Sequence, residues 1–191
     1  MRFLISFAYD GSKYKGYQKQ PRGKTVQNEV EKVLKKINND TAVPIHGSGR
    51  TDAGVHALGQ KVHFDLDLEI TPEQLKKAMN SLLPADIYVR EVSVVSDMFH
   101  ARYNAKGKEY IYKINMGEYN PLEKDYVYQY NKRLDVVAME RAMKYLEGEH
   151  DFKSFSKANE EKDDFVRKII QANLVRDLKA GNMIVLSFLG T

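Results

Sequence analysis

Residues 2–10 alternate, with Phe3, Ile5, Phe7 and Tyr9 on one side of an extended chain. This period of two predicts a half-buried strand. After Thr25 the period lengthens. Val26, Val30, Val33, Leu34 and Ile37 form one stripe of a helix, Thr25 stands at its N-cap position, and Asn38-Asn39-Asp40 stops it. Residues 43–46 and 62–66 read as strands on either side of a glycine-rich stretch. Thr71-Pro72-Glu73-Gln74 predicts a second helix start, with a capping threonine, proline at the first helical position and glutamine at the capping-box position. Leu75, Ala78, Met79 and Leu82 supply its apolar face. Residues 87–95 are rich in β-branched side chains and predict a further strand. The order over residues 1–96 is β-α-β-β-α-β, the ferredoxin-like (RRM-like) arrangement.

The second half begins the same way. Residues 110–114 predict a strand, and Asp135 caps a helix with Val136, Met139, Ala142, Met143 and Leu146 on one face and Gly148 closing it. Residues 167–176 and 183–189 predict two strands joined around Ala180-Gly181-Asn182. The expectation is an α+β protein of two ferredoxin-like units, residues 1–105 and 106–191. Their antiparallel sheets flank a cleft, and the second unit is cut off after its third strand. The apolar residues 183–189 would then be left partly uncovered.

Composition narrows the classes without choosing one. Of 191 residues, 42% are hydrophobic and 29% charged, a balance that supports a folded core. The net charge of +4 is a mild basic bias, compatible with a polyanionic partner. The absence of cysteine excludes disulfides, thiolate nucleophiles and sulfur-ligated zinc, and fits the cytoplasm. No apolar run approaches the roughly 18 residues of a membrane span.

Two segments carry candidate chemistry. Gly47-Ser48-Gly49-Arg50-Thr51-Asp52-Ala53-Gly54 places a cation, a hydroxyl and a carboxylate in a loop whose glycines allow close backbone approach to a ligand. From local pattern alone it reads equally as a strand connection in which Asp52 makes a turn hydrogen bond. No second carboxylate lies close by in sequence, so a glycosidase-like pair is not evident, and a lone nucleophilic or basic carboxylate fits better. The second segment, residues 13–24, interleaves Lys13, Lys15, Lys19, Arg22 and Lys24 with Tyr14 and Tyr17 and contains no acid. Such cations can hold phosphates and such rings can stack on bases. The histidines show no metal-ligand spacing and predict no metal. His63, between Val62 and Phe64, is expected to face solvent or a partner. His56 either lines the site or supports it.

The run Gly49-Arg50-Thr51-Asp52-Ala53-Gly54-Val55-His56-Ala57 resembles the signature of the TruA family of tRNA pseudouridine synthases. Other blocks follow in that family's order: Tyr9-Asp10-Gly11 with Tyr14-Lys15-Gly16-Tyr17-Gln18, then Thr25-Val26-Gln27, then Asn80-Ser81-Leu82-Leu83-Pro84-Ala85-Asp86-Ile87. Further on come Phe99-His100-Ala101-Arg102, Lys108-Glu109-Tyr110-Ile111-Tyr112 and His150-Asp151-Phe152. The resemblance implies isomerisation of uridine to pseudouridine at positions 38 to 40 of the tRNA anticodon stem–loop, with neither metal nor cofactor. Asp52 matches the catalytic aspartate, acting at the ribose as nucleophile or as base. Arg50 and Arg102 match positions near it that could pair with it or hold substrate, and Tyr110 matches the active-site tyrosine. The first basic loop would track the tRNA backbone. The resemblance also implies a homodimer, and a continuation beyond residue 191 that helps close the site. Two other readings stay open: a tRNA-binding fragment without turnover, and a single-carboxylate nucleoside hydrolase.

Overall fold

The computed structural model describes residues 1–156, 164–177 and 182–191. The chain divides into two compact units, Met1–Ala105 and Lys106–Thr191. Among the described residues they hold two sheets and three α-helices.

Unit 1 runs β1 (Arg2–Tyr9), α1 (Val26–Ile37), β2 (His46–Gly47), β3 (Ala57–Asp65), α2 (Pro72–Leu82) and β4 (Ile87–Val95). The strands lie in the order β2-β3-β1-β4 and every pair is antiparallel. The alternation of β1 is realised in full: Phe3, Ile5, Phe7 and Tyr9 are all at most 4% exposed. They pack with Val30 and Leu34 of α1 and Leu75 and Met79 of α2, so both helices share one face of the sheet.

Both helix starts lie where expected, but they are capped differently. At α2, Gln74 N–H donates to Thr71 Oγ1 (3.2 Å) and Thr71 N–H to Gln74 Oε1 (2.9 Å), the reciprocal capping box. At α1, Thr25 occupies the N-cap but its hydroxyl caps nothing and is fully buried. The free N–H groups of that first turn are met by backbone instead: Val26 donates to Gly16 O (3.3 Å) and Gln27 to Tyr17 O (2.9 Å). The basic loop is therefore the cap of α1. Asn39 and Asp40, at φ 48° and 62°, end the helix in the left-handed region that these two side chains tolerate.

Three details depart from the pattern. Leu82 is exposed and Leu83 takes the buried place, because α2 has ended there. The strand expected at residues 43–46 pairs only at His46–Gly47, although Val43 and Ile45 are buried. β3 starts at Ala57, earlier than its apolar run, because backbone pairing with β1 (Phe7 with Gln60, Tyr9 with Ala57) needs no apolar side chain.

Unit 2 runs β5 (Lys108–Asn115), β6 (Tyr128–Gln129), α3 (Val136–Lys144), β7 (Gly148–Asp151), a short 3-10 helix (Lys153–Phe155), β8 (Val166–Asp177) and β9 (Met183–Gly190). The sheet order is β6-β5-β9-β8-β7, with β5 and β6 parallel and the other pairs antiparallel. Asp135 caps α3 as expected, accepting from Ala138 N–H (2.9 Å). Gly148 does not close that helix; it opens β7 at φ 109°. β6 and β7 were not legible, being two residues and four mostly polar residues at the sheet edges. Of the expected hairpin turn, Ala180 and Gly181 lie outside the described residues.

Candidate active site

The loop between β2 and β3 is held from several sides. Ser48 N–H donates to Lys61 O (2.8 Å), and Gln60 Nε2 donates to Gly49 O (2.7 Å). Thr51 is fixed twice, its hydroxyl 2.8 Å from the Tyr9 hydroxyl and its carbonyl accepting from Tyr17 N–H (3.0 Å). Gly54, at φ 79°, donates to Tyr14 O (3.4 Å). Gly11 N–H donates to His56 Nδ1 (3.1 Å), a nitrogen that also lies 3.1 Å from Asp10 Oδ1. His56 therefore ties the first loop to the end of the second.

Two glycines make this closeness possible. A Cβ on Gly11 would collide with the Val55 carbonyl. Gly16 sits at φ 88°, and a Cβ there would lie 2.9 Å from Thr51 O. Asp52 stands between these anchors with its side chain exposed. Its carbonyl accepts from Val55 N–H (3.3 Å), but among the described residues its carboxylate takes no hydrogen bond and no ion pair. The turn role that local pattern allowed is thus carried by backbone, and the carboxylate is left to solvent.

Arg50 and Arg102 are exposed as well, and neither pairs with Asp52 among the described residues. Of the two roles open to these arginines, pairing with Asp52 is not seen here, and both guanidinium groups stand exposed. Tyr110 lies on β5 opposite Phe188 and is half exposed.

The basic loop separates into two kinds of residue. Lys13, Lys15, Lys19, Arg22 and Lys24 are all exposed. Lys19 reaches Glu31 (3.0 Å), Lys24 reaches Asp86 (3.6 Å), and the Lys15 stem lies along Gly23. Tyr14 and Tyr17, by contrast, are each 3% exposed. The expectation that their rings stack on bases is corrected here. Tyr14 donates its hydroxyl to Asp86 Oδ1 beneath Lys24, whose ammonium lies 4.4 Å from the ring centre. Tyr17 packs under Gly47, where a Cβ would meet its ring. Burial first, and then Asp86, pushes the Tyr14 phenol well above its ordinary pKa; burial does the same for Tyr17. Both are anchors for the two loops. Alternation of cations and rings along the chain could not separate an outward ring from an inward one.

His63 is a second correction. It does point away from the helix-covered face, opposite to Val62 and Phe64, but it is 3% exposed because residues 99–101 lie over it.

With this geometry in place, the chain can be set beside known proteins. A family model described as tRNA pseudouridine synthase matches residues 5–104 and 142–191. The tRNA pseudouridine synthase A of Geobacillus sp. (strain WCH70) is 45% identical over 174 residues, covering 91% of this chain and 70% of that protein. That of Exiguobacterium sp. (strain ATCC BAA-1283 / AT1b) is 45% identical over 190 residues, 100% of this chain and 75% of its own. That of Streptococcus pneumoniae (strain 70585) is 40% identical over 190 residues, 99% and 76%. The chain belongs to the tRNA pseudouridine synthase family, a family of isomerases.

Proposed function

We propose that this protein isomerises uridine to pseudouridine in tRNA, at positions 38 to 40 of the anticodon stem–loop, with Asp52 acting at the ribose. The observation that carries the reading is the Asp52 loop: its backbone is tied down on both flanks while its carboxylate stays free. A fixed, unpaired carboxylate is what attack at C1′ or proton removal at C2′ requires. The reaction breaks the bond between C1′ and N1, turns the uracil and joins C1′ to C5; the C5 proton leaves and N1 gains one. Atoms and electrons balance within the nucleoside. Arg50 and Arg102 serve as cations for phosphate or for the space a flipped nucleotide leaves. Tyr110 supplies a ring for the uracil and a hydroxyl near the proton lost from C5. Lys13, Lys15 and Arg22, with Lys19 and Lys24 beside them, follow the tRNA backbone.

The same reading takes each unit as ferredoxin-like, supported in unit 1 by the strand order β2-β3-β1-β4 with both helices on one face. It includes a homodimer and a place in the cytoplasm. No helix among the described residues is long and apolar enough to cross a membrane.

Asp52→Ala should abolish pseudouridine formation, measured by tritium release from 5-labelled uridine, while tRNA binding survives. Retained turnover would remove Asp52 from the chemistry. A tRNA-binding protein without turnover is the second reading, favoured by the exposed rings around Tyr110 on β5. Binding by the unaltered chain with no product would establish it.

A further inference from the structure

Arg102 stands on a turn, residues 99–104, that closes on itself. Asn104 N–H donates to His100 O (2.9 Å), His100 N–H to Asn104 Oδ1 (2.7 Å) and Arg102 N–H to His100 Nδ1 (3.2 Å). Self-closure sets the shape of the turn but not its place on the sheet. Two side chains dock it there. Arg2, held by Asp65 (2.8 Å), donates to the carbonyls of Asp97 and Phe99. Ala101 N–H donates to His63 Nδ1 (3.1 Å), and both residues are only 3% exposed. Around His63 the rings of His46 and His100 lie at 4.9 and 4.6 Å between centres, Phe99 at 6.4 Å, and Tyr103 lies tilted against the far side of His100 at 4.3 Å.

We infer that His63 is a positioning residue for Arg102: its neutral imidazole accepts the Ala101 N–H and fixes the turn on which the guanidinium stands. The inference rests on the reading of Arg102 as a substrate-side cation. A buried N–H stripped of its acceptor is costly, so without His63 the turn would be held by Arg2 alone and Ala101 would pull away from the sheet. The imidazole must be neutral to accept at Nδ1. Burial, helped by His100, His46 and Arg2 and opposed by Asp65, lowers its pKa from 6.5 to about 4. The unfolded chain therefore takes up a proton that the folded chain refuses. Stability is full above pH 6.5 and declines as pH falls toward 4, and the tether itself opens as pH falls through about 4.

The test uses amide exchange in the full chain, with Ala101 read against the amides of β3. His63→Leu removes the acceptor and should lower Ala101 protection by about tenfold or more, the scale of one lost hydrogen bond. His63→Asn places an oxygen where Nδ1 was and should restore most of it. His63→Gln places the acceptor at the Nε2 position and should not. Pseudouridine formation should rank the variants the same way, and His63→Leu should add little to the loss already caused by Arg102→Ala. Unchanged Ala101 protection in His63→Leu, or fully additive losses, would overturn the inference. Full activity in Arg102→Ala would instead bring down the reading of Arg102, while the exchange data still judge the tether.

Discussion

The first strands of the two units are the same length and are dressed very differently. In β1 the inward residues are at most 4% exposed, and helices cover that face. In β5, Tyr110 and Tyr112 on one face and Ile111 on the other are 51%, 57% and 45% exposed. Backbone pairing is complete in both cases, since every residue of β5 is paired with β9. Strand formation and burial are thus separable. Hydrogen-bond ladders define the sheet of unit 2, whereas apolar burial, the larger stabilising term, is concentrated in unit 1. There the buried set is Phe3, Ile5, Phe7, Val30, Leu34, Leu75, Met79 and their neighbours; among the described residues of unit 2 it is Val127, Val136, Met143, Ala172 and Ile184.

The comparison can be broken most directly at Phe7, which is fully buried. Phe7→Ala should cost about 3–5 kcal/mol in urea unfolding followed on unit 1. A loss below about 1 kcal/mol would mean that the core of unit 1 is looser than its burial says. Gly16→Ala should cost about 1–3 kcal/mol, since it puts a side chain at φ 88° and against Thr51 O. It should also lower turnover more than tRNA binding, because the Asp52 loop must shift. Equal losses in both would argue that the two loops move together as one binding surface. Tyr112→Ser sharpens the contrast from the other side. Its stability change should lie within about 0.5 kcal/mol, and a loss of several kcal/mol would reveal cover over β5.

How much the sequence disclosed follows the same division. Where a side chain's period coincides with burial, as in β1, α1 and the capping box of α2, the reading holds residue by residue. It falters where backbone does the work. Ala57 to Gln60 of β3 pair without an apolar pattern, and Gly16 and Tyr17 cap α1 through carbonyls that carry no side-chain signature. The Asp52 loop was legible as a candidate from its glycines, but its supports Tyr9 and Gln60 come from β1 and β3, and His56, at the loop's end, reaches back to Asp10 and Gly11. Tyr14 and Tyr17 misled for a related reason. Their neighbours are cations, and local chemistry does not show which way a loop ring turns. His63 had the correct face and the wrong surroundings, because its cover arrives from residues some forty positions later.

The Asp86 contact carries a consequence for the order of events during folding. Asp10 N–H donates to Asp86 O (2.9 Å), and the Tyr14 hydroxyl reaches the Asp86 carboxylate. The loop that braces Asp52 is thus locked by a residue more than seventy positions downstream, on the approach to β4, and β1 cannot gain both neighbours before β4 exists. Such distant pairings make folding slow compared with a helical bundle. On an emerging chain, the aspartate is synthesised early and acquires its final setting late. The exposed cations of residues 13–24 belong to the same loop, so they too reach their final places only once Asp86 has docked.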